Sequence, residues 1–231
     1  MVVSFVRFGT AHLCVIALTF ITPLILAIIT RGDASGNAAR VACWSWAAFL
    51  VINKIVGLTV LRRYGELTAE SALPMHLCDW AAIVSVVTLI YPNQWTYELC
   101  YFWALGGTLQ ALLTPDLVYG FPDPRFVSFF ALHGGVIASA LYVTLAMGMR
   151  PLPISILRVL AWSTLYVGAA MAMNTMLGTN FGYLHAKPTQ PSLLDFMAPW
   201  PFYILQLVPV AIAFTLFLYA PFFVIDWLRL R

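Results

Sequence analysis

Charged side chains are scarce in this chain of 231 residues, where 12 Lys and Arg and 9 Asp and Glu make up 9% of the sequence. Soluble domains carry about 25% charged residues, whereas 62% of this chain is hydrophobic. No segment is polar enough for a separate soluble domain, so we predict a single transmembrane domain over residues 1–231. The net charge of +3 is spread along the chain without a basic block, and nucleic acid is therefore not expected as a partner.

Cysteine pairs and the common catalytic motifs are also missing. The four cysteines lie in or near apolar runs and form no CxxC or CxxH pair: Cys14, Cys43, Cys78 and Cys100. Such cysteines are usually free, buried thiols, and nothing in their spacing predicts a metal or an organic cofactor. There is no G-x-S-x-G, H-E-x-x-H or P-loop sequence. Generic motifs therefore do not identify an enzyme.

Long apolar runs dominate what is present. A membrane-spanning helix needs about 20 mostly apolar residues, and by this measure the chain has about seven spans. The predicted fold is all-α, a polytopic transmembrane helical bundle. The approximate spans are 9–29, 41–61, 74–91 (beginning at Pro74 or His76), 95–113, 126–147, 153–177 and 201–225.

An odd number of spans gives the two membrane faces different polar content. The N-terminus and the 2–3, 4–5 and 6–7 connections share one face, where most of the notable polar residues fall: His76, Cys78, Asp79, Asp116, His133, Asn174, Asn180 and His185. We therefore predict a polar funnel that opens to this face, within reach of lipid headgroups. The opposite face has one more Lys or Arg near its helix ends, and positive charge favours the cytoplasmic side. This predicts an external N-terminus and a cytoplasmic C-terminus.

The segment Leu73–Trp80 places a histidine, a thiol and a carboxylate at the start of the third span. A charge facing lipid at the centre of a helix costs about 2.5–3.5 kcal/mol, so Asp79 is expected to face protein or a wet cavity. His76 and Cys78 fit two interpretations: a base or ligand near a nucleophile, or a helix-starting histidine and a buried thiol. Lys54, inside the second span, either extends to the interface or pairs with a carboxylate such as Asp79.

His133 is the strongest candidate for a catalytic histidine. Its flanking residues are apolar, and Gly134 and Gly135 follow it, so another backbone or a lipid chain can approach closely. The alternative is a histidine that only packs between helices. Asp116, after Pro115, is either a site residue or a turn residue, and the amide of Asn174 inside an apolar run requires a partner.

Several longer motifs resemble those of the YwaF-like integral membrane proteins. They recur in order over nearly the whole chain: 8–13 (FGTAHL), 73–78 (LPMHLC), 101–116 (YFWALGGTLQALLTPD), 133–135 (HGG), 180–184 with 187–188, and 199–203 (PWPFY). This resemblance implies a multi-pass protein of a bacterial cytoplasmic membrane. A eukaryotic relative of the family, transmembrane protein 164, is described as a phospholipid acyltransferase that uses a cysteine and a histidine.

Carried over by motif, that histidine is His133, whereas the position of the cysteine is Met75 in this chain. Cys78 lies one turn further on the same helical face. The resemblance thus implies acyl transfer between phospholipid and lysophospholipid, with membrane lipids as partners. The predicted catalytic residues are His133, Cys78, His76 and Asp79, and the predicted substrate-binding residues are Asp116, Asn174, Asn180, Lys187 and Gln110. The alternatives are a small-molecule or ion transporter and a non-catalytic lipid-binding protein.

Overall fold

The protein is a bundle of long helices in a computed structural model that describes residues 3–33 and 36–229. No β-strand occurs in these two ranges, where the only β-pairing is an isolated bridge between Ser4 and Tyr119. The α-helices are α1 Thr10–Arg31, α2 Asn37–Arg63, α3 Ala69–Ala72, α4 Leu77–Ile90, α5 Gln94–Trp103, α6 Leu109–Leu113, α7 Pro124–Ala146, α8 Pro153–Leu177 and α9 Phe202–Arg229. The all-α transmembrane prediction is confirmed.

Six helical segments are long and apolar enough to cross a membrane: α1, α2, α3 with α4, α7, α8 and α9. The remaining predicted span, 95–113, is also helical, but a π-helical turn over Ala104–Thr108 separates α5 from α6. The third span also differs from its prediction, because α4 begins at Leu77 and the short α3 precedes it. Pro74 lies in the break between them and lacks the N–H that a continuous helix would need.

Helix α7 is the centre of the bundle: 72% of the residues in its apolar 18-residue stretch are buried, compared with 22% for the corresponding stretch of α1. Its glycines allow neighbouring helices to approach closely. A Cβ atom added at Gly134 would lie 2.5 Å from Thr19 Oγ1 on α1, and one at Gly135 would lie 2.7 Å from Leu50 Cδ2 on α2. The Trp46 Nε1–H also donates to the Gly135 carbonyl at 3.0 Å. The residues flanking His133 are thus held in place by close packing on two sides.

The N-terminus and the 2–3, 4–5 and 6–7 connections meet at one end of the bundle, which we call the site end. Phe5 N–H donates to the Val118 carbonyl at 2.9 Å, and Arg7 donates to the Pro191 carbonyl. Glu66, after α2, pairs with Arg125 at the start of α7 at 2.5 Å. These contacts agree with the shared face that the number of spans predicts.

Candidate functional site

An intramembrane ion pair joins the second and third spans near the site end. Lys54 Nζ lies 2.5 Å from Asp79 Oδ1, and the Asp79 side chain is only 7% exposed. Of the two interpretations of Lys54, the structure therefore supports the pairing. The other carboxylate oxygen, Oδ2, accepts the His76 N–H at 3.3 Å and so satisfies one of the free donors at the start of α4. Asp79 fixes both a cation and a helix end.

His133 lies nine residues after Pro124 on α7, about 14 Å along a helix that rises about 1.5 Å per residue. Its Nδ1 atom is 2.7 Å from the Phe129 carbonyl oxygen. Because a carbonyl only accepts hydrogen bonds, Nδ1 carries the proton and Nε2 has the lone pair of the neutral ring. Nε2 has no hydrogen-bond partner within residues 3–33 and 36–229. The Phe129 ring stacks on the imidazole at 4.1 Å and fixes its orientation.

His133 and Lys54 line the same cavity, which has a volume of about 420 Å³. Its walls combine apolar side chains with polar ones near the site end. The apolar wall includes Leu58, Leu61, Leu117, Phe129 and Leu132, and the polar residues are Asn53, Lys54, Glu66, Ser71, Asp116, Tyr119, Arg125, Ser128, His133 and Thr189. The cavity can therefore accept a molecule that is polar at one end and apolar at the other.

The predicted residues of the third span surround this cavity without lining it. Asp79 and His76, like Lys54, lie within electrostatic range of His133, but neither is a lining residue, and Cys78 is not one either. His76 Nδ1 accepts the Gly182 N–H at 3.3 Å, and its ring contacts that of Phe181. Met75 packs against the apolar cluster around Tyr166 and Phe181. Met75, to which the motif resemblance assigns the cysteine, thus packs against part of the 6–7 connection.

Asp116 binds the 6–7 connection. Its Oδ2 accepts the Tyr183 hydroxyl at 3.2 Å, and its Oδ1 accepts the Thr189 hydroxyl at 2.8 Å and the Gln190 N–H at 3.1 Å. Burial, together with the neighbouring Asp116 carboxylate, raises the pKa of Tyr183 above its usual value, so this phenol stays protonated and donates.

The two predicted asparagines shape the same connection. Asn174 is 1% exposed, and its amide makes hydrogen bonds with Phe181 and Thr179. Asn180 Oδ1 accepts the His185 and Ala186 N–H groups. Both side-chain amides thus have partners within the loop, and substrate binding by them stays a prediction.

Lys187 and Gln110 lie away from the cavity lining. The Lys187 ammonium donates to the Met197 carbonyl at 2.9 Å and lies 5.7 Å from the Tyr203 ring. The backbone carbonyl of Gln110 accepts the Thr114 hydroxyl at 2.9 Å. No structural observation tests their predicted roles in binding substrate, which stay predictions.

A cluster of side chains around Arg125, at the rim of the cavity, was not predicted from the sequence. The Arg125 guanidinium lies between the rings of Tyr64 and Tyr119, at 4.1 and 3.2 Å from their centroids, and pairs with Glu66 and Asp123. The hydrogen bonds from Arg125 lower the pKa of Asp123 below its usual value. The bond to Glu66 raises the pKa of Tyr119. The sequence Asp123-Pro124-Arg125 indicated a helix start at this point, since a carboxylate before a helix-starting proline is a typical N-cap.

A second cavity of about 310 Å³ lies between α1, α2 and α7, and its lining residues carry no ionisable group. On α7 it is bordered by Ala131, Gly134 and Ala138, which share one helical face, whereas Phe129, Leu132 and His133 lie on another. This groove is therefore not a continuation of the His133 cavity.

The His133 cavity contains the groups that a base-catalysed reaction needs. It holds a histidine with a free Nε2, a fixed ammonium and an apolar wall. Within the described ranges, no three His, Cys, Asp or Glu side chains are grouped closely enough to hold a metal ion.

The sequence pattern of the TMEM164 family matches residues 7–219. No curated protein and no solved structure matches the chain. The narrower YwaF-like, bacterial assignment stays a prediction from the motifs.

Proposed function

Because the chain belongs to the TMEM164 family of membrane proteins, we propose that it is a lipid-modifying enzyme that transfers an acyl chain from a phospholipid to a lysophospholipid. The observation that carries this proposal is the free Nε2 of His133, which lines a cavity together with Lys54. A neutral imidazole with a free lone pair on Nε2 can accept a proton and so act as a general base.

In the proposed reaction, His133 Nε2 takes the proton from the free hydroxyl of the lysophospholipid. The resulting oxygen attacks the ester carbonyl of the donor and forms a tetrahedral oxyanion. The Lys54 ammonium, held in place by Asp79, stabilises this negative charge. The intermediate then collapses, and the C–O bond to the donor glycerol breaks. The departing oxygen receives the proton back from His133, so protons and atoms balance.

This mechanism needs no cysteine. Cys78 is not a lining residue of the cavity, and Met75 occupies the position at which the family motif has its cysteine. The nucleophile is therefore the acceptor hydroxyl, and Asp79 positions Lys54 rather than the imidazole. The apolar wall of Leu58, Leu61 and Leu132 accommodates the first part of an acyl chain.

The direct test compares Cys78→Ala with His133→Ala in reconstituted protein supplied with a labelled acyl donor. Direct transfer predicts that Cys78→Ala retains transfer and that no labelled acyl group remains on the protein after denaturation. Loss of transfer in Cys78→Ala, together with a labelled thioester in the unchanged protein, would contradict it. Cys100→Ala is the matched control, because Cys100 is a free thiol away from the cavity lining that hydrogen-bonds only to Ser85 in the described ranges.

If lipid copurifies with the protein but no label moves, the protein is a lipid-binding protein instead. If neither occurs and a solute crosses the membrane, it is a carrier.

A further inference from the structure

The connection between α8 and α9, residues 178–201, lies against the cavity that contains His133. Thr189, in the middle of this connection, lines the cavity, and so does its partner Asp116. Tyr183 and Gln190 bind the same carboxylate. The connection is therefore attached to the bundle at the rim of the cavity.

The carboxylate at this attachment has no cationic partner within residues 3–33 and 36–229: its three donors are two hydroxyl groups and one backbone N–H. Water can replace such neutral donors when the connection moves away, because each is a group that water also satisfies. In contrast, the nearby Arg125 cluster, which ties Glu66 and Asp123 to the start of α7 and does not contact this connection, is closed by two ion pairs. At the rim of the cavity the connection is therefore held by neutral donors, and Arg7 holds it separately at the Pro191 carbonyl.

The backbone beside the attachment is held in an unfavourable conformation. Tyr183 has a φ angle of 55° and follows Gly182 at 66°, and a left-handed φ is uncommon for a bulky residue. Asp116 holds the Tyr183 hydroxyl, and the Tyr203 hydroxyl holds its carbonyl. Release of Asp116 would let this residue relax. Strained residues of this kind occur at switch regions.

The base of the connection stays anchored. Asn174 holds Thr179 and Phe181 to the end of α8, so movement would be concentrated beyond Tyr183. We propose that residues 178–201 are a lid on the His133 cavity and that Asp116 is its latch. The closure rests on these contacts together with the Arg7 hydrogen bond to the Pro191 carbonyl, whereas its use, to admit lipid and exclude water, rests on the proposed function.

The test measures access to the cavity and does not depend on catalysis. Leu132 lines the cavity, so Leu132→Cys is labelled with a membrane-impermeant maleimide in a background where the exposed Cys14 is replaced by serine. Asp116→Ala should speed this labelling by about tenfold, the factor expected from about 1.4 kcal/mol of lost hydrogen bonding. The control is Asp195→Ala, which removes a carboxylate that binds Ser192 within the connection itself, and it should leave the rate unchanged.

A second reporter excludes unfolding. Ser139 is fully buried elsewhere on α7, so Ser139→Cys should stay unlabelled in the Asp116→Ala protein. If Ser139→Cys becomes labelled, a variant in which the connection is cross-linked to the bundle tests the lid instead. Thr189 Oγ1 lies 2.8 Å from Asp116 Oδ1, so Asp116→Cys with Thr189→Cys can be joined by a short bifunctional reagent. Joining them should slow labelling of Leu132→Cys, and an unchanged rate would overturn the lid.

Labelling of Leu132→Cys at the same rate with and without Asp116→Ala, in folded protein, would also overturn it. His133→Ala separates the two proposals, because it should lower the rate of acyl transfer by about 10²–10⁴-fold without changing the labelling rate. A lid without transfer, or transfer without a lid, would each be recognised.

Discussion

Two side chains, His133 and Lys54, give the cavity its proposed chemistry, and each has one partner that defines its state. The Phe129 carbonyl sets the tautomer of His133, and Asp79 sets the position of the Lys54 ammonium. Both partners act through short contacts at 2.7 and 2.5 Å. The site thus depends on the backbone of Phe129 and on Asp79, which does not line the cavity.

Breaking the Lys54–Asp79 pair should separate stability from activity. In Lys54→Met, Asp79 stays buried without its counter-charge, which typically costs about 3–5 kcal/mol. Since Lys54 is one-third exposed, we expect a loss near the lower limit. The double variant Lys54→Met with Asp79→Leu should regain most of the stability but no acyl transfer. Thermal unfolding in detergent measures the first quantity, and equal stability of the single and double variants would contradict this account.

The Asp123–Arg125 pair predicts an acid-dependent loss of stability. The pKa of Asp123 is lower in the folded protein than its usual 3.8, so the unfolded chain takes up its proton first as the pH falls. The contribution is fully present above pH 3.8 and disappears as the pH falls through the folded value. Asp123→Asn should flatten this part of the stability profile, measured as melting temperature against pH between about 5 and 2. An unchanged slope would show that other carboxylates control it.

At the scale of helical elements, the sequence predicted where the long helices lie better than where they are interrupted. Hydropathy located every long helix. Close packing occurs at Gly107, where a Cβ atom would lie 2.6 Å from Leu77 Cδ2. Neither the π-helical turn at Ala104–Thr108 nor the separate α3 was predicted, because both depend on tertiary contacts. The partners of Asn174 were also beyond prediction, since they belong to a loop without periodicity.

Gly120 tests the packing of the site end. A Cβ atom there would lie 2.6 Å from the Ser4 carbonyl oxygen, a backbone atom that cannot rotate away. Gly120→Ala should therefore lower stability by about 1–3 kcal/mol by separating the N-terminal segment from the 4–5 connection. Gly32→Ala, where a Cβ atom meets nothing within 4 Å, is the matched control in the same unfolding assay. Equal effects of the two changes would mean that this contact contributes nothing.

Over the whole molecule, the polar site is one-sided. The N-terminus, Glu66, Asp116 and Thr189 meet at the site end, while the other end is closed by ion pairs such as Arg150 with Asp226. The number of spans predicted this arrangement. A polar funnel at this face was predicted, but most of the residues that line the cavity were not, because its walls come from α2, α7 and three connections that are distant in sequence.

The predicted orientation places the site end outside the cell. In intact cells, an impermeant maleimide should therefore label Thr189→Cys but not Gln94→Cys, which lies beside Arg150 at the other end. Labelling of Gln94→Cys alone would reverse the orientation. The positive-inside count supports the first outcome by one residue, so this measurement decides more than the sequence does.

The most direct test of the proposed enzyme is lipid mass spectrometry on reconstituted protein given a diacyl phospholipid and an isotope-labelled lysophospholipid. Transfer should produce labelled diacyl lipid, and His133→Ala should reduce its rate by about 10²–10⁴-fold, the usual contribution of a general base. Thermal unfolding should confirm that the variant is folded. If labelled diacyl lipid fails to form with any donor, or forms equally in His133→Ala, the cavity is not an acyl-transfer site.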